Sequence, residues 1–169
     1  FREVGGFDES LSNAHDWDMW LRLAVCYHFV VVPSIQILYR VSPNSMSSNV
    51  WGMERSSLQV IERAYAQASE SIQHLKRVSL ANRYKYLTFK ALDGTPVRQR
   101  GFTALRFLLN AIINDSVLLR RRIIWKVILK IVIIVLLPPQ QAQVLLNKVN
   151  KITDITTILT LIQFDPPQQ

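Results

Sequence analysis

The chain has 169 residues, 49% of them hydrophobic, with a formal net charge of +8 and a single cysteine. That length allows one ordinary domain or two small ones. One cysteine excludes an internal disulfide framework and a cysteine-rich zinc site, so we expect a reducing compartment. The three histidines are far apart in the sequence, and we expect no metal site formed by this chain.

The positive charge narrows the choice of partners. A strongly basic chain suits nucleic acid, an anionic membrane surface or a phosphorylated substrate. We recognise no nucleic-acid-binding module, so we expect no nucleic acid partner and favour the membrane surface. The five glycines form neither a GxGxxG pattern nor a P-loop, so the chain has no recognisable phosphate-binding loop.

The N-terminal region begins with a glycine turn. Gly5 and Gly6 let the backbone turn sharply or approach a ligand closely. We predict that a helix follows, with Ser12 or Asn13 as its N-cap. Asp16 then falls in the first turn of this helix, where the exposed N–H groups favour an acidic residue.

The apolar residues of this helix recur at helical spacing and predict one apolar face, formed by Trp17, Trp20, Leu21 and Ala24. Asp18 and Arg22 lie four residues apart and are expected to pair. Cys26 is expected to be buried. Asp16 has two interpretations: an acid at a helix start, or a general base that removes a hydroxyl proton at the mouth of a cleft.

The next segment has the character of strands and a loop. Residues 29–32 are Phe-Val-Val-Val, which predicts a buried strand ended by Pro33. Residues 34–40 are also expected to be strand-like. Residues 42–50 are polar and rich in turn formers, so we expect a loop that either borders a binding cleft or serves as a simple linker.

From Trp51 onward, apolar residues recur every three or four positions and predict helices. We expect helices over 51–68, 71–92 and 95–113. The sequence Asp-Gly-Thr-Pro at 93–96 is a typical helix end followed by a new start.

Residues 120–137 combine three arginines with a long aliphatic run that a proline pair ends. As a helix, the aliphatic part would span about 22 Å, short of the roughly 30 Å hydrocarbon core of a bilayer. Arg122, Lys126 and Lys130 follow one stripe. The pattern favours a helix in the membrane surface, with its cations towards anionic headgroups and Trp125 at the interface. An ordinary core helix and a membrane span are the alternatives.

Two motifs carry a family resemblance. GGFDESL at 5–11 and HDWDMWLRLA at 15–24 resemble together the acceptor-side motif of family 2 glycosyltransferases, which have the GT-A fold. ILYRVSPNSMSSN at 37–49 resembles the tyrosine-arginine loop that follows the last core strands of these enzymes. The resemblance covers roughly the first fifty residues, and the order and separation of the motifs also match.

The resemblance implies that Asp16 is the catalytic base of an inverting transfer from a nucleoside-diphosphate sugar. It implies substrate-binding roles for six further residues: Gly5, Gly6, His15, Trp17, Arg40 and Ser42. Trp17 would shape the acceptor pocket, and core packing is its alternative. Arg40 and Ser42 would lie near the departing diphosphate, and a solvated cation is the alternative for Arg40.

The chain departs from the family pattern in three places. His15 stands where the family usually has Glu, and Ser42 stands where many relatives have His. The family's divalent cation, Mg²⁺ or Mn²⁺, is usually bound through an Asp-any-Asp motif at a strand end. Asp16 and Asp18 match that motif by letters but lie in a predicted helix, so we expect the metal ligands mostly outside this chain.

The expected fold class is therefore an α/β remnant, the C-terminal end of a GT-A domain, followed by a mainly α-helical extension. The chain as a whole is expected to be predominantly helical. We expect an acceptor-side part at 1–50, a helical extension at 51–116 and a basic amphipathic tail at 117–169. Such a fragment is expected to be inactive alone.

The partners implied for the intact enzyme are a nucleoside-diphosphate sugar and a sugar or lipid-linked acceptor, in polysaccharide or glycolipid synthesis. The expected location is the cytoplasm, peripheral on the cytoplasmic face of the membrane. The alternative function is a non-enzymatic helical module that docks on a membrane surface or a partner protein.

Overall fold

The structure, a computed structural model, describes residues 3–38 and 49–162. These residues are predominantly helical, as predicted, and none of them lies in a β-strand. The helices are α1 His15–Cys26, α2 Val50–Ala66, α3 Glu70–Gln73, α4 Leu75–Leu92, α5 Arg98–Asn114, α6 Arg122–Leu136, α7 Pro139–Lys148 and α8 Asn150–Thr153, with 3₁₀ turns at Ser116–Arg120 and Thr156–Leu161.

The chain divides into two compact units, residues 1–69 and residues 70–169. The first contains α1 and α2, and the second contains α3 to α8. The three regions predicted from the sequence, 1–50, 51–116 and 117–169, describe the roles of each part in a larger enzyme. That division stays a prediction.

In the first unit, α1 packs against α2 around a small apolar core of Leu11, Met19, Met53, Val60 and Ile61. The residue at the N-cap of α1 is Ala14, in a left-handed conformation with φ of 59°, so the predicted cap by Ser12 or Asn13 is wrong. Both side chains face α2 instead. The Ser12 hydroxyl lies 3.3 Å from that of Ser56, and the Asn13 amide lies beside Gly52.

The predicted strand at 29–32 is wrong, and 34–38 is not a strand either. The side chains are exposed where burial was predicted: Val30 and Val31 are 87% and 90% accessible. A β-branched run favours extended backbone, but a strand also needs a hydrogen-bonded neighbour. The described part of the chain supplies no such neighbour.

The predicted apolar face of α1 exists but faces outward. Trp20 is 53% exposed and Leu21 is also exposed, whereas the buried positions of α1 are Asp18 and Met19. Cys26, expected to be buried, is exposed as well. The spacing predicted the helix correctly, but the apolar side is not the side that packs on α2.

The second unit is built on a hairpin of α4 and α5. Leu87 and Phe107 are fully buried between these helices, and the ring of Tyr84 lies 6.2 Å from that of Phe107. The predicted end of α4 is confirmed, since Gly94 follows it with φ of 108°. The helix predicted over 71–92 is interrupted at His74, which separates α3 from α4.

α6 packs along α5 in the antiparallel direction, because Gly101 near the start of α5 lies beside Ile134 and Val135 near the end of α6. A Cβ atom at position 101 would lie 2.7 Å from Cγ2 of Val135, so only glycine allows this close approach. Across residues 3–38 and 49–162, no helix is both long and apolar enough to cross a membrane.

Lys85 joins three parts of the second unit. Its side chain is 1% exposed, and its Nζ donates hydrogen bonds to Asn82 on α4 and, at 2.9 Å, to the Leu161 carbonyl in the last 3₁₀ turn. The same Nζ lies 3.0 Å from Oδ2 of Asp115, which directly precedes the first 3₁₀ turn. The ammonium group is therefore fully paired although it is buried.

We expect Lys85→Ala to destabilise the chain by about 3 kcal/mol, because it leaves Asp115 and the Leu161 carbonyl without their partner. Chemical denaturation followed by circular dichroism measures this loss. The double variant Lys85→Met/Asp115→Leu is expected to recover part of it, because no unpaired carboxylate remains. Unfolding of Lys85→Ala at the wild-type denaturant concentration would contradict this role.

Candidate functional site

One arginine fixes the glycine turn to α1. Nε of Arg22 donates to Asp18 at 2.9 Å, which confirms the predicted pair, and Nη2 donates to the Gly6 carbonyl at 2.8 Å. Nη1 of Arg22 donates to the Val4 carbonyl. Gly5 adopts φ of 76°, which disfavours any residue with a side chain. The turn that the sequence marked by its glycines is thus held in place by a guanidinium group, which spacing alone did not reveal.

A second ion pair fixes the turn that follows. Oδ1 of Asp8 accepts hydrogen bonds from the backbone N–H and the hydroxyl of Ser10, and Oδ2 accepts one from Arg63 on α2 at 2.6 Å. The Ser10 hydroxyl, the Arg63 guanidinium and the Ser10 amide lower the pKa of Asp8 to about 2. Asp followed two residues later by Ser is a turn signature, but Arg63 is 55 residues away and could not be inferred.

Asp16 lies in the first turn of α1, at a position that is neither fully buried nor fully exposed. Its Oδ1 accepts a hydrogen bond from the Trp17 backbone N–H at 3.0 Å. No residue in 3–38 or 49–162 donates a hydrogen bond to its other oxygen, Oδ2. One carboxylate oxygen therefore serves the start of α1.

Aromatic side chains lie on both sides of Asp16 in the sequence. The His15 ring packs edge-on against Phe7, with 5.8 Å between ring centroids and an interplanar angle of 86°. Trp17 is 37% exposed. His15, where the family usually has an acid, is thus in contact with the phenylalanine of the glycine-turn motif.

The remaining predicted site residues, Arg40 and Ser42, lie outside the described residues, and their roles stay predictions. The same holds for most of the loop predicted at 42–50. In the part of the chain that the structure describes, no three His, Cys, Asp or Glu side chains are grouped closely enough to hold a metal ion. The divalent-cation site that the resemblance implies therefore stays a prediction.

Comparison with known families agrees with the motifs. Residues 1–91 match the family described as glycosyltransferase-like family 2, so the match covers more than half of the 169 residues. It includes the glycine turn, α1 and the whole of α2. The chain therefore belongs to glycosyltransferase-like family 2. No curated protein and no solved structure matches it.

The lowered pKa of Asp8 makes a pH-dependent prediction. Because its pKa is lower in the folded state than the ordinary value of 3.8, the charged form stabilises the fold near neutral pH. That contribution is lost as the pH falls from about 4 towards about 2. NMR titration of the Asp8 carboxyl carbon is expected to give a midpoint near the lower value.

Arg63→Gln is expected to raise the Asp8 pKa, because it removes the guanidinium group from Oδ2. Arg106→Gln, on α5 in the other unit, serves as the charge-matched control and is expected to leave the titration unchanged. An Asp8 midpoint that does not move in Arg63→Gln would show that this ion pair is absent in solution.

Proposed function

We propose that this chain is the C-terminal, acceptor-side part of an inverting glycosyltransferase of the GT-A fold. The enzyme transfers a sugar from a nucleoside-diphosphate sugar to an acceptor hydroxyl. Membership in glycosyltransferase-like family 2 supports sugar transfer in general. The observation that carries the specific mechanism is Asp16, a carboxylate in the matched segment whose Oδ2 accepts no hydrogen bond from the described residues.

In this mechanism, Oδ2 of Asp16 takes the proton from the acceptor hydroxyl as that oxygen attacks the anomeric carbon of the donor. A bond forms between the acceptor oxygen and the anomeric carbon. The bond from the anomeric carbon to the diphosphate oxygen breaks, and the nucleoside diphosphate leaves with the electron pair. Attack on the face opposite the leaving group inverts the configuration at the anomeric carbon.

The surrounding residues position the acceptor. Arg22 holds the turn containing Gly5 and Gly6 against α1, so the backbone next to Asp16 is fixed before the substrate arrives. The exposed ring of Trp17 offers an apolar face to the C–H groups of a sugar. The ring of His15, which packs against Phe7, is placed beside the acceptor in this proposal.

The leaving diphosphate is assigned to Arg40 and Ser42, which lie outside the described residues. In this proposal, Arg40 stabilises the developing negative charge through its guanidinium group, and Ser42 donates a hydrogen bond. The nucleotide and the divalent cation, Mg²⁺ or Mn²⁺, are bound mostly by residues outside this chain. When bound, the cation neutralises charge on the diphosphate.

The surface of the first unit supports the proposal that it belongs to a larger catalytic domain. The apolar face of α1 and the apolar side chains of residues 29–32 are exposed and lie next to each other in the sequence. Soluble proteins rarely leave large apolar patches open unless another chain segment or partner covers them. We therefore expect the chain alone to be inactive.

The test is the assembled enzyme, containing this chain together with its nucleotide-binding part. Asp16→Asn is expected to lower kcat by about 100- to 10,000-fold, the usual contribution of a general base. The KM for the donor is expected to change little, because Asp16 acts on the acceptor. Release of nucleoside diphosphate is measured with a panel of UDP-, GDP- and dTDP-sugars.

Glu9→Gln is the matched control, because Glu9 is an exposed acid in the same motif and the substitution makes the same change in charge. We expect it to keep wild-type kcat. Equal activity of Asp16→Asn and Glu9→Gln would remove Asp16 from the mechanism. Absence of transfer by the assembled wild-type enzyme would favour the non-enzymatic helical module, and transfer by residues 1–169 alone would contradict the proposed incompleteness.

A further inference from the structure

One exposed side of α5 carries a stripe of large apolar residues. Four large hydrophobic side chains spaced three or four residues apart form one stripe on this side: Phe102, Leu105, Leu109 and Ile113. The opposite side of α5 carries the fully buried Ala104 and Phe107, which pack in the core of the second unit. α5 therefore has two apolar sides, and only one of them is used in folding.

α6 repeats this arrangement. Its exposed stripe has the spacing three, four, three and four, and consists of Arg122, Trp125, Leu129, Val132 and Leu136. Trp125 is 62% exposed and Leu136 is 70% exposed. The core of the unit instead receives Ile124, Val127 and Ile134 from the other side of the helix.

The two stripes lie on neighbouring sides of the helix pair. The contact of Gly101 with Ile134 and Val135 fixes the antiparallel arrangement and the side on which each helix meets the other. With 100° of rotation per residue, the stripe of α5 lies about 90° from Gly101, and the stripe of α6 lies about 150° from the contact at Ile134 and Val135. The two stripes therefore point to neighbouring sides of the helix pair, about 60° apart. Together they form an apolar surface that curves around the helix pair, the α5–α6 face, about 25 Å long.

The charged residues within the segment that forms this face are nearly all basic. Residues 98–137 contain eight arginines and lysines, and their single acidic residue, Asp115, is paired with Lys85. The exposed cations lie at the ends and edges of the face: Arg98, Arg106, Arg120, Arg121 and Arg122. The Arg98 guanidinium lies 5.9 Å from the centre of the Phe102 ring, so charge and apolar surface meet directly.

The lysines of α6 are placed differently from the sequence-based expectation. Lys126 and Lys130 were expected to share a stripe with Arg122 and to face headgroups. In the structure both are partly covered, on the flank of α6 that faces Asp154. Burial lowers the pKa of Lys130, and Asp93 and Asp154 oppose that shift. The outermost surface of α6 is therefore more apolar than we expected from the spacing of Arg122, Lys126 and Lys130.

We propose that the α5–α6 face docks on an anionic lipid surface. The apolar stripes enter the boundary between headgroups and acyl chains, with both helix axes parallel to the membrane plane. The arginines at the rim contact lipid phosphates, and Trp125 lies at the depth that tryptophan favours. This inference does not depend on the proposed sugar transfer, because it rests on the second unit alone.

The positive charge around the α5–α6 face favours an anionic lipid surface over a second copy of the chain as the binding partner. A symmetric dimer through the α5–α6 face would bring the arginine clusters of both copies near one shared interface, with no acid from 98–137 available to pair them. An anionic bilayer instead supplies negative charge along the whole rim. Each basic residue near such a surface contributes about 1 kcal/mol of binding.

The experiment is co-sedimentation of the 169-residue chain with phosphatidylcholine vesicles, prepared with and without phosphatidylglycerol, at low and high salt. We expect binding to the anionic vesicles, weakened by salt, and much weaker binding to pure phosphatidylcholine. Replacing Arg120, Arg121 and Arg122 by Gln is expected to weaken binding to anionic vesicles on the order of 100-fold.

Leu109→Glu/Trp125→Glu tests the apolar part and is expected to lower the partition coefficient at least about 10-fold. Its matched control is Val144→Glu/Ile152→Glu, which adds the same charge at exposed apolar residues outside the face. Circular dichroism checks that all variants fold. Equal binding by both double variants, or no binding to anionic vesicles, would overturn the proposal.

Analytical ultracentrifugation of the same variants tests whether the α5–α6 face binds a second copy of the chain instead of a membrane. A stable dimer of the wild-type chain that Leu109→Glu/Trp125→Glu dissociates would assign the face to a second copy and overturn the membrane proposal. A monomer that binds anionic vesicles supports it. Neither result depends on whether Asp16 acts in catalysis.

Discussion

The buried ammonium group of Lys85 is the interaction on which the second unit most depends. Its partners come from α4, from the residue before the first 3₁₀ turn and from the last 3₁₀ turn, so one side chain fixes elements far apart in the sequence. Asp115 directly follows α5 and leads through the 3₁₀ turn to α6. The relative placement of α5 and α6, and with it the surface they present, is therefore set partly by a charge that solvent does not reach.

In the first unit, arginine side chains likewise join elements that are distant in the sequence. Arg22 binds two backbone carbonyls as well as Asp18, and Arg63 binds Asp8, so the glycine turn and the acidic turn after it are each attached to a helix. The apolar core between α1 and α2 is small. Directional contacts thus define the conformation of the two turns that precede α1.

The sequence predicted the helices well, because three- and four-residue spacing and the Asp93-Gly94 stop are local signals. It did not predict which side of a helix is covered: the apolar side of α1 is exposed, and the lysines of α6 are partly buried. Such placement depends on neighbours distant in sequence. The strand at 29–32 was mispredicted for the same reason. At the candidate site, motif resemblance singled out Asp16, whose role stays a proposal, whereas the contact of Arg63 with Asp8 was missed because Arg63 is remote in sequence.

The exposed position of Cys26 has a practical consequence. It is the only cysteine in the chain, and it lies at the last residue of α1, so a maleimide dye would attach at one known point in the first unit. The same accessible thiol can oxidise between two molecules. Disulfide-linked pairs formed in air would join the chains through α1 and mimic self-association, so samples kept in reductant report the true association state.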